Sequence, residues 1–463
     1  MPSEICSYIK TLKNGKSPGY DQITNMMVKR FPMKTICYLT KVFNIILKHQ
    51  HFPESWKLAK VIPILKPGKP PSEPGSYRPI SLLSTISKLL EAVLLNRMQN
   101  FIDERNLLIP YQFGFRSKHS NTHQLYRVVE LISSGLKTRK VTGGLFLDVA
   151  KAFDRVWLDA LIYKLHHLGF PGHITNIIHS YLTGRHFVVH VSGTLSSPRA
   201  ILAGVPQGSL LGPTLFNLYV NDIPTTDNTT LAMYADDTAI LTQTAFVGSA
   251  IQRLQNHIQL LETWLTKWKV KINVDKTTAI LFTKKEKFPN QLKLYGETIP
   301  WAKQVLYLGV ILSKRFSWNP HITCCLKKFR ARKASLNPLI ARNSVLSIDN
   351  KLLIYKTMLR SILCYACPVW AYSNKSIRSK LQTAQNCVLR QIVCAPWYIR
   401  NAKIHEELKI ELYKMAQKKI GDQDIHRRFK VVTSQEFRAW LKEKNKGGHS
   451  SIEMFARRKL GKE

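Results

Sequence analysis

Apolar and polar positions alternate in distinct registers along the chain, and the registers mark its elements. "YLTKVFNIILKH" and "IQRLQNHIQLLETWLTKW" repeat apolar residues at steps of three and four, which predicts amphipathic helices. The first 30 residues predict a helix, the loop "KNGKSPGYDQI" and a second helix. "KVIPIL" and "RHFVVHVSG" predict strands, as do "KINVDKTTAILF" and "VLYLGVIL". "STISKLLEAVLLNRMQNFI" and "GSLLGPTLFNLYVNDI" predict helices, and "KPGKPPSEPGSYRPI" a Pro/Gly-rich link. "GGLFLDVAKAFDRV" reads as a buried strand turning into a helix, and "LAMYADDTAILTQ" as a hairpin. From about Asn319 the pattern is helical and increasingly basic. The expectation is an α+β protein with a helical C-terminal third.

Charge changes the picture. Among 463 residues, 69 Lys and Arg face 29 Asp and Glu, a net charge of +40 that points to a polyanionic partner, nucleic acid above all. No run of 18 uncharged apolar residues and no signal peptide occur, so no membrane partner is expected. The eight cysteines include Cys364 and Cys367 at a half-zinc spacing, with Cys387 and Cys394 downstream, but they lie in apolar or helical stretches that suit core thiols better than a zinc site.

Two carboxylates stand inside the apolar run "LAMYADDTAILTQ". Ionised Asp236 and Asp237 are costly there unless neutralised. Asp148 ends the strand "GGLFLD" at a separation natural for neighbouring strands of one sheet. Converging carboxylates repel unless one is protonated or divalent cations bind, and hard oxygen donors suit Mg2+. Beside a strongly basic surface, that set suggests in-line phosphoryl transfer on a nucleotide triphosphate. A polar hairpin tip remains the plain alternative. "GVPQGSLLGP" offers a backbone able to approach a base pair, or merely a loop capping the next helix.

The segments "FLDVAKAFDRV", "GVPQGSLLGPTLFNLYVNDI", "YADDTAIL", "NVDKTTAILF" and "YLGVIL" occur in an order that resembles the palm motifs of reverse transcriptases of non-LTR (LINE-type) retrotransposons. "KNGKSPGYDQI", "VIPILKPGKPPSEPGSYRPISLL" and "YQFGFRSKHSNTHQL" are similar to the family's finger motifs, while "YACPVW" and "PWYIRNAKIHEELKI" resemble its Jockey-like branch. The resemblance covers roughly residues 5 to 412. It implies a right-hand polymerase: fingers over 1–140, a palm with an antiparallel sheet over 141–315, a helical thumb over 316–412 and a basic tail over 413–463.

By the same resemblance, Asp148, Asp236 and Asp237 are the catalytic metal ligands for two Mg2+ ions, with Mn2+ a possible substitute. Lys276 is the lysine that protonates pyrophosphate. Lys66 and Arg78 hold the triphosphate, Phe153 is the gate beneath the sugar, Gln207 and Gly208 pack on the nascent base pair, and Val149 belongs to the substrate site. "YLGV" (Tyr307 to Val310) matches the primer grip. Read without the family, Lys66, Arg78 and Lys276 are solvated charge and Phe153 is core. Asp154 is expected to be structural, facing away from Asp148.

The implied activity is RNA-directed DNA synthesis with an RNA template, a DNA primer and dNTPs, in the nucleus or a cytoplasmic ribonucleoprotein. "SPGYDQI" departs from the family's "APGPDGI". No endonuclease domain of the apurinic type has room ahead of residue 5, so a polymerase-only remnant or a truncated gene product is expected. A catalytically silent nucleic-acid-binding remnant and a group II intron maturase-like enzyme are the rivals; the intact aspartates count against the first and "YIRNAKIH" against the second.

If the charge tracks a template–primer duplex, log affinity falls with log salt at about −0.9 per phosphate neutralised. Duplex binding measured across salt concentrations is expected to be steep; a slope worth only about one or two phosphates would put the charge elsewhere.

Overall fold

The computed structural model describes residues 1–283, 291–370 and 373–410, so the basic tail expected at 413–463 lies outside the described residues. These residues form two compact units: Met1–Phe115 with Gly135–Ala302, and Arg116–Ser134 with the described residues from Lys303 on.

In the first unit, α1 (Pro2–Thr11), α2 (Asn25–Lys29) and α3 (Met33–His49) precede β1 (Leu58–Leu65), β2 (Tyr77–Leu82) and α4 (Thr85–Glu104). α3 buries Ile36, Thr40, Phe43 and Ile46, the three-and-four spacing its sequence predicts, and Gln50 closes it in a left-handed conformation. Ser84 caps α4 by accepting from the Ser87 amide. Most of α5 (Asn121–Lys137) belongs to the second unit. The first unit resumes with β3 (Val141–Leu147), α6 (Leu158–His167), α7 (Gly172–Leu182), β4 (Arg185–Val191), β5 (Thr194–Leu195) and β6 (Arg199–Ile201). It continues through α8 (Gly212–Tyr219), β7 (Thr230–Tyr234), β8 (Asp237–Thr244), α9 (Val247–Lys267), β9 (Thr278–Phe282), β10 (Leu292–Leu294) and β11 (Glu297–Ile299).

The sheet that matters for the site runs β7-β8-β3-β9, antiparallel throughout. Every residue of β3 is buried, as a strand flanked on both sides and covered by helices must be. α9 lays Ala250, Leu254, Ile258, Leu261 and Leu265 into the core beside it. A second, mixed sheet runs β2-β1-β4-β5, with β6 also on β4; β1 pairs antiparallel with β2 and parallel with β4.

Two expectations change in this unit. The end of the supposed link, Tyr77–Ile80, belongs to strand β2, which pairs with β1 from Leu65↔Tyr77 to Lys60↔Leu82. Pro79 is tolerated because β2 is an edge, where a missing N–H breaks no ladder. The chain after β3 does not become a helix at once. Lys151 adopts φ 52, a single 3-10 turn covers Phe153–Arg155, and α6 starts only at Leu158. Left-handed Lys151 cannot continue a right-handed helix.

In the second unit, "VLYLGVIL" is a tight hairpin rather than one strand. β12 (Gln304–Tyr307) and β13 (Val310–Ser313) pair across Leu308 (φ 44) and Gly309 (φ 77), the two positive φ values of a two-residue turn. Helices follow: α10 (Asn319–Ser335), α11 (Asn337–Ile340), α12 (Ile348–Ile354), a π-turn over Tyr355–Leu359, α13 (Arg360–Cys364), α14 (Cys367–Trp370), α15 (Lys375–Ile392) and α16 (Asn401–Glu407). α10 exposes Lys327, Lys328, Arg330 and Arg332 while burying Ile322, Leu326 and Phe329.

All eight cysteines are free; Cys367 is buried while Cys387 and Cys394 are exposed. No helix among the described residues is long and apolar enough to cross a membrane.

Candidate active site

The tip of the β7–β8 hairpin is formed by Ala235 and Asp236, with Tyr234 paired to Asp237 and Ala235 at φ 57. Across β8, the last pair of β3 is Leu147↔Thr238. Asp148 directly follows Leu147 and Asp237 directly precedes Thr238, so the end of β3 lies beside the hairpin tip. Neighbouring segments hold the Asp148 backbone: its carbonyl accepts from the Asn273 amide at 2.8 Å, and Ala150 N–H donates to the Lys271 carbonyl at 2.9 Å. The Asn273 side chain accepts from Lys276 N–H, capping the short turn Val274–Lys276. That turn brings Lys276 Nζ to 3.6 Å from Asp148 Oδ2.

Asp236 and Asp237 are exposed by residue area, yet they stand among enough protein atoms to lose much of their hydration. The Asp237 carboxyl is pushed up to about 6, first by this desolvation and then by the charges of Asp236 and Asp148. Asp236 is raised by desolvation and by Asp148, against a bond to its own backbone and the opposing charge of Arg78. Among the described residues no three His, Cys, Asp or Glu side chains are gathered tightly enough to enclose one ion. What the site offers is an open set of carboxylate oxygens in mutual repulsion. That fits a hard divalent cation, which keeps waters and takes its remaining contacts from phosphates.

The other expected residues surround this point. Arg78, on the β1–β2 hairpin, is exposed and its charge reaches Asp236. Lys66 Nζ turns back onto the Gly75 carbonyl at 2.9 Å. Phe153 is half-buried, stacked on Phe216 at 4.8 Å and met edge-on by Phe115 at 5.8 Å. Val149 packs against the core and, with Asp236, lines an apolar recess beneath the hairpin tip.

The "GVPQGS" loop is sewn to the turn after β3: Gly204 N–H donates to Val156 O and Val205 N–H to Phe153 O, both at 2.8 Å. Gly208, at φ +88, approaches β2 so closely that a Cβ would meet the Ser81 carbonyl oxygen at 2.6 Å.

Sequence reasoning left three residues without this role. Asp154, expected to be structural, accepts from Gln207 Nε2 at 2.6 Å and so orients the very side chain expected at the base pair. Glu91 is fully buried; it accepts from Ser87 Oγ at 3.1 Å and from Leu210 N–H at 2.8 Å, tying the loop to α4. A lone carboxylate in "LLEAVLL" carries the same burial cost that singles out Asp236, and that signal could have found it. Gln112, also buried, touches Ala235.

Because Asp148 raises both of its neighbours, Asp148→Asn is expected to lower the titration points of Asp236 and Asp237 in metal-free protein. Carboxyl 13C NMR across pH 3 to 8 reads this directly. The sign for stability follows: a carboxyl raised from 3.8 to about 6 favours the folded state when protonated, so that contribution is lost as pH climbs through this window. An Asp237 titration unmoved by Asp148→Asn would show that the two do not share a site.

The model of the reverse transcriptase (RNA-dependent DNA polymerase) family matches residues 64–312. The chain is 37% identical over 417 residues to the "Probable RNA-directed DNA polymerase from transposon BS" of Drosophila melanogaster, covering 88% of this chain and 46% of that protein. It is 35% identical over 436 residues to the "RNA-directed DNA polymerase from mobile element jockey" of the same organism, covering 91% and 48%. The chain thus spans about half the length of the curated relatives it matches. A solved telomerase of Candida albicans in complex with a telomeric RNA fragment aligns over 82% of this chain and 71% of its own at TM-score 0.42 and 13% identity, a likeness too slight to add weight. The matched residues run from β1 through β13 and include Asp148, Asp236 and Asp237: the chain belongs to the reverse transcriptase family, and its resemblance to the Jockey-like elements is borne out.

Proposed function

We propose that this chain copies an RNA template into DNA by extending a primer 3′-hydroxyl with dNTPs. The observation that carries the reading is the meeting of Asp148, at the end of β3, with Asp236 and Asp237 at the hairpin tip, where burial and like charge raise both hairpin carboxyls. Reverse transcriptases are divalent-metal dependent as a family. We assign two Mg2+ ions, replaceable by Mn2+, to these three aspartates. Bound there, the ions would supply Lewis-acid charge for the attacking 3′-oxygen and the leaving pyrophosphate.

The remaining roles belong to the chain's own groups. Arg78, whose charge already reaches Asp236, forks two phosphate oxygens of the incoming nucleotide. Lys66 exchanges its bond to Gly75 for the same triphosphate. The Phe153 ring, backed by Phe216, forms the floor under the sugar, which a 2′-hydroxyl would strike. Gln207, held by Asp154, and the side-chain-free Gly208 flank the new base pair. Lys276, 3.6 Å from Asp148, delivers a proton to pyrophosphate as it leaves.

The proposed division is fingers over 1–140, palm over 141–315 and helical thumb over 316–412, with the β12–β13 turn as primer grip. The place of action proposed is the nucleus or a cytoplasmic ribonucleoprotein.

Asp236→Asn keeps size and shape while removing one charge. Extension of a DNA primer on poly(A) RNA with Mg2+ is expected to fall by about two orders of magnitude or more, with duplex binding retained. A folded variant that extends at near wild-type rate contradicts the assignment. Wild-type protein that binds duplex but never extends would mark a silent nucleic-acid-binding remnant.

A further inference from the structure

The segment Tyr111–Phe115 meets β7 in a single parallel bridge at Gln112: Met233 N–H donates to Tyr111 O at 3.0 Å and Phe113 N–H to Met233 O at 2.9 Å. Gln112 sits in this segment at 1% exposure. Its Oε1 accepts from the Ala235 amide at 3.0 Å and from the Gly114 amide at 2.8 Å. Its Nε2 donates to the Ala235 carbonyl at 3.2 Å. One side chain therefore captures both backbone polar groups of the residue that precedes Asp236. Next to it, Gly114 is pressed so close that a Cβ would lie 2.1 Å from the Ala235 nitrogen, while Asn217 of α8 holds the Gly114 carbonyl at 2.9 Å.

Ala235 needs such a clamp. It adopts φ 57, a region that costs an alanine free energy and is kept only where surroundings over-determine it. A relaxed Ala235 would re-aim the peptide that carries Asp236, and with it the direction of the carboxylate.

We infer that Gln112 is a positioning residue that fixes the left-handed Ala235 and thereby sets the aim of the Asp236 carboxylate. The inference rests on the reading of Asp236 as a metal ligand.

The test is Gln112→Met, which keeps volume and removes the amide. Primer extension is followed against Mg2+ and against dNTP, with thermal unfolding and duplex affinity measured beside it. The expected result is a kcat lower by about 10- to 100-fold, a half-saturating Mg2+ concentration raised several-fold, and dNTP KM and duplex affinity within about threefold of wild type. Adding Ala235→Gly is expected to restore part of the kcat and of the Mg2+ dependence, because glycine takes positive φ without strain. Such rescue would not repair a mere loss of packing.

Should Gln112→Met not fold, Gln112→Asn is read the same way, since it keeps a buried amide but is one methylene too short to reach both Ala235 groups. Unchanged kcat and Mg2+ dependence, or a kcat loss that follows the folded fraction with unaltered Mg2+ dependence and no rescue, overturns the inference. Asp236→Asn run in parallel separates the two failures: if that variant stays active, the metal assignment falls; if only Gln112→Met stays normal, the clamp falls.

Discussion

Like charges forced together at one corner of a sheet set the terms for the rest of the first unit. Asp148 directly follows the last β3–β8 pair, Leu147↔Thr238, and Asp236 and Asp237 directly precede it on the hairpin. The protein supplies only partial relief, from Lys276 at 3.6 Å and from the charge of Arg78. Burial first, and then the repulsion left standing, raises both hairpin carboxyls, a state that a bound cation would relieve. A sheet can hold such a conflict because its strands are buried and multiply bonded, so the carboxylates cannot drift apart.

Around that corner, each functional backbone segment is tied to an element far away in sequence. Asp154 orients Gln207, Glu91 holds the loop through Leu210, Ser81 leaves room only for a glycine at 208, and Gln112 grips Ala235. Two of these ties, through Glu91 and Gln112, use buried polar groups, which in a low-dielectric interior are strong when satisfied and costly when not. Loops that must meet a substrate are thereby given the rigidity of the sheet.

The sequence made some of this legible and hid the rest for physical reasons. The β7–β8 hairpin, the buried β3 and the helices α3 and α9 follow from alternation and three-and-four spacing, because burial of one face writes itself into the pattern. The aspartates were legible because a carboxylate in an apolar strand demands an explanation. Strand β2 was hidden by Pro79 and the prolines of the segment before it; an edge strand tolerates the one it contains. The turn after Asp148 was hidden because its conformation is fixed by bonds to residues 204 and 205, not by its own propensity. Gln112 and Ala235 are 123 residues apart, and neither is unusual in its own segment. Only the fold brings them together.

Cation binding and proton release must be coupled if the charge conflict is real. With Asp237 titrating at about 6, a divalent ion binding at pH 6 should expel about half a proton per site, and almost none at pH 8. Calorimetric titration of Mn2+ into the metal-free protein, repeated in two buffers of different ionisation heat, measures that number. The account predicts buffer-dependent heat at pH 6 that vanishes at pH 8 and is lost in Asp237→Asn. Heat independent of the buffer at pH 6, or a release unchanged by Asp237→Asn, would contradict it.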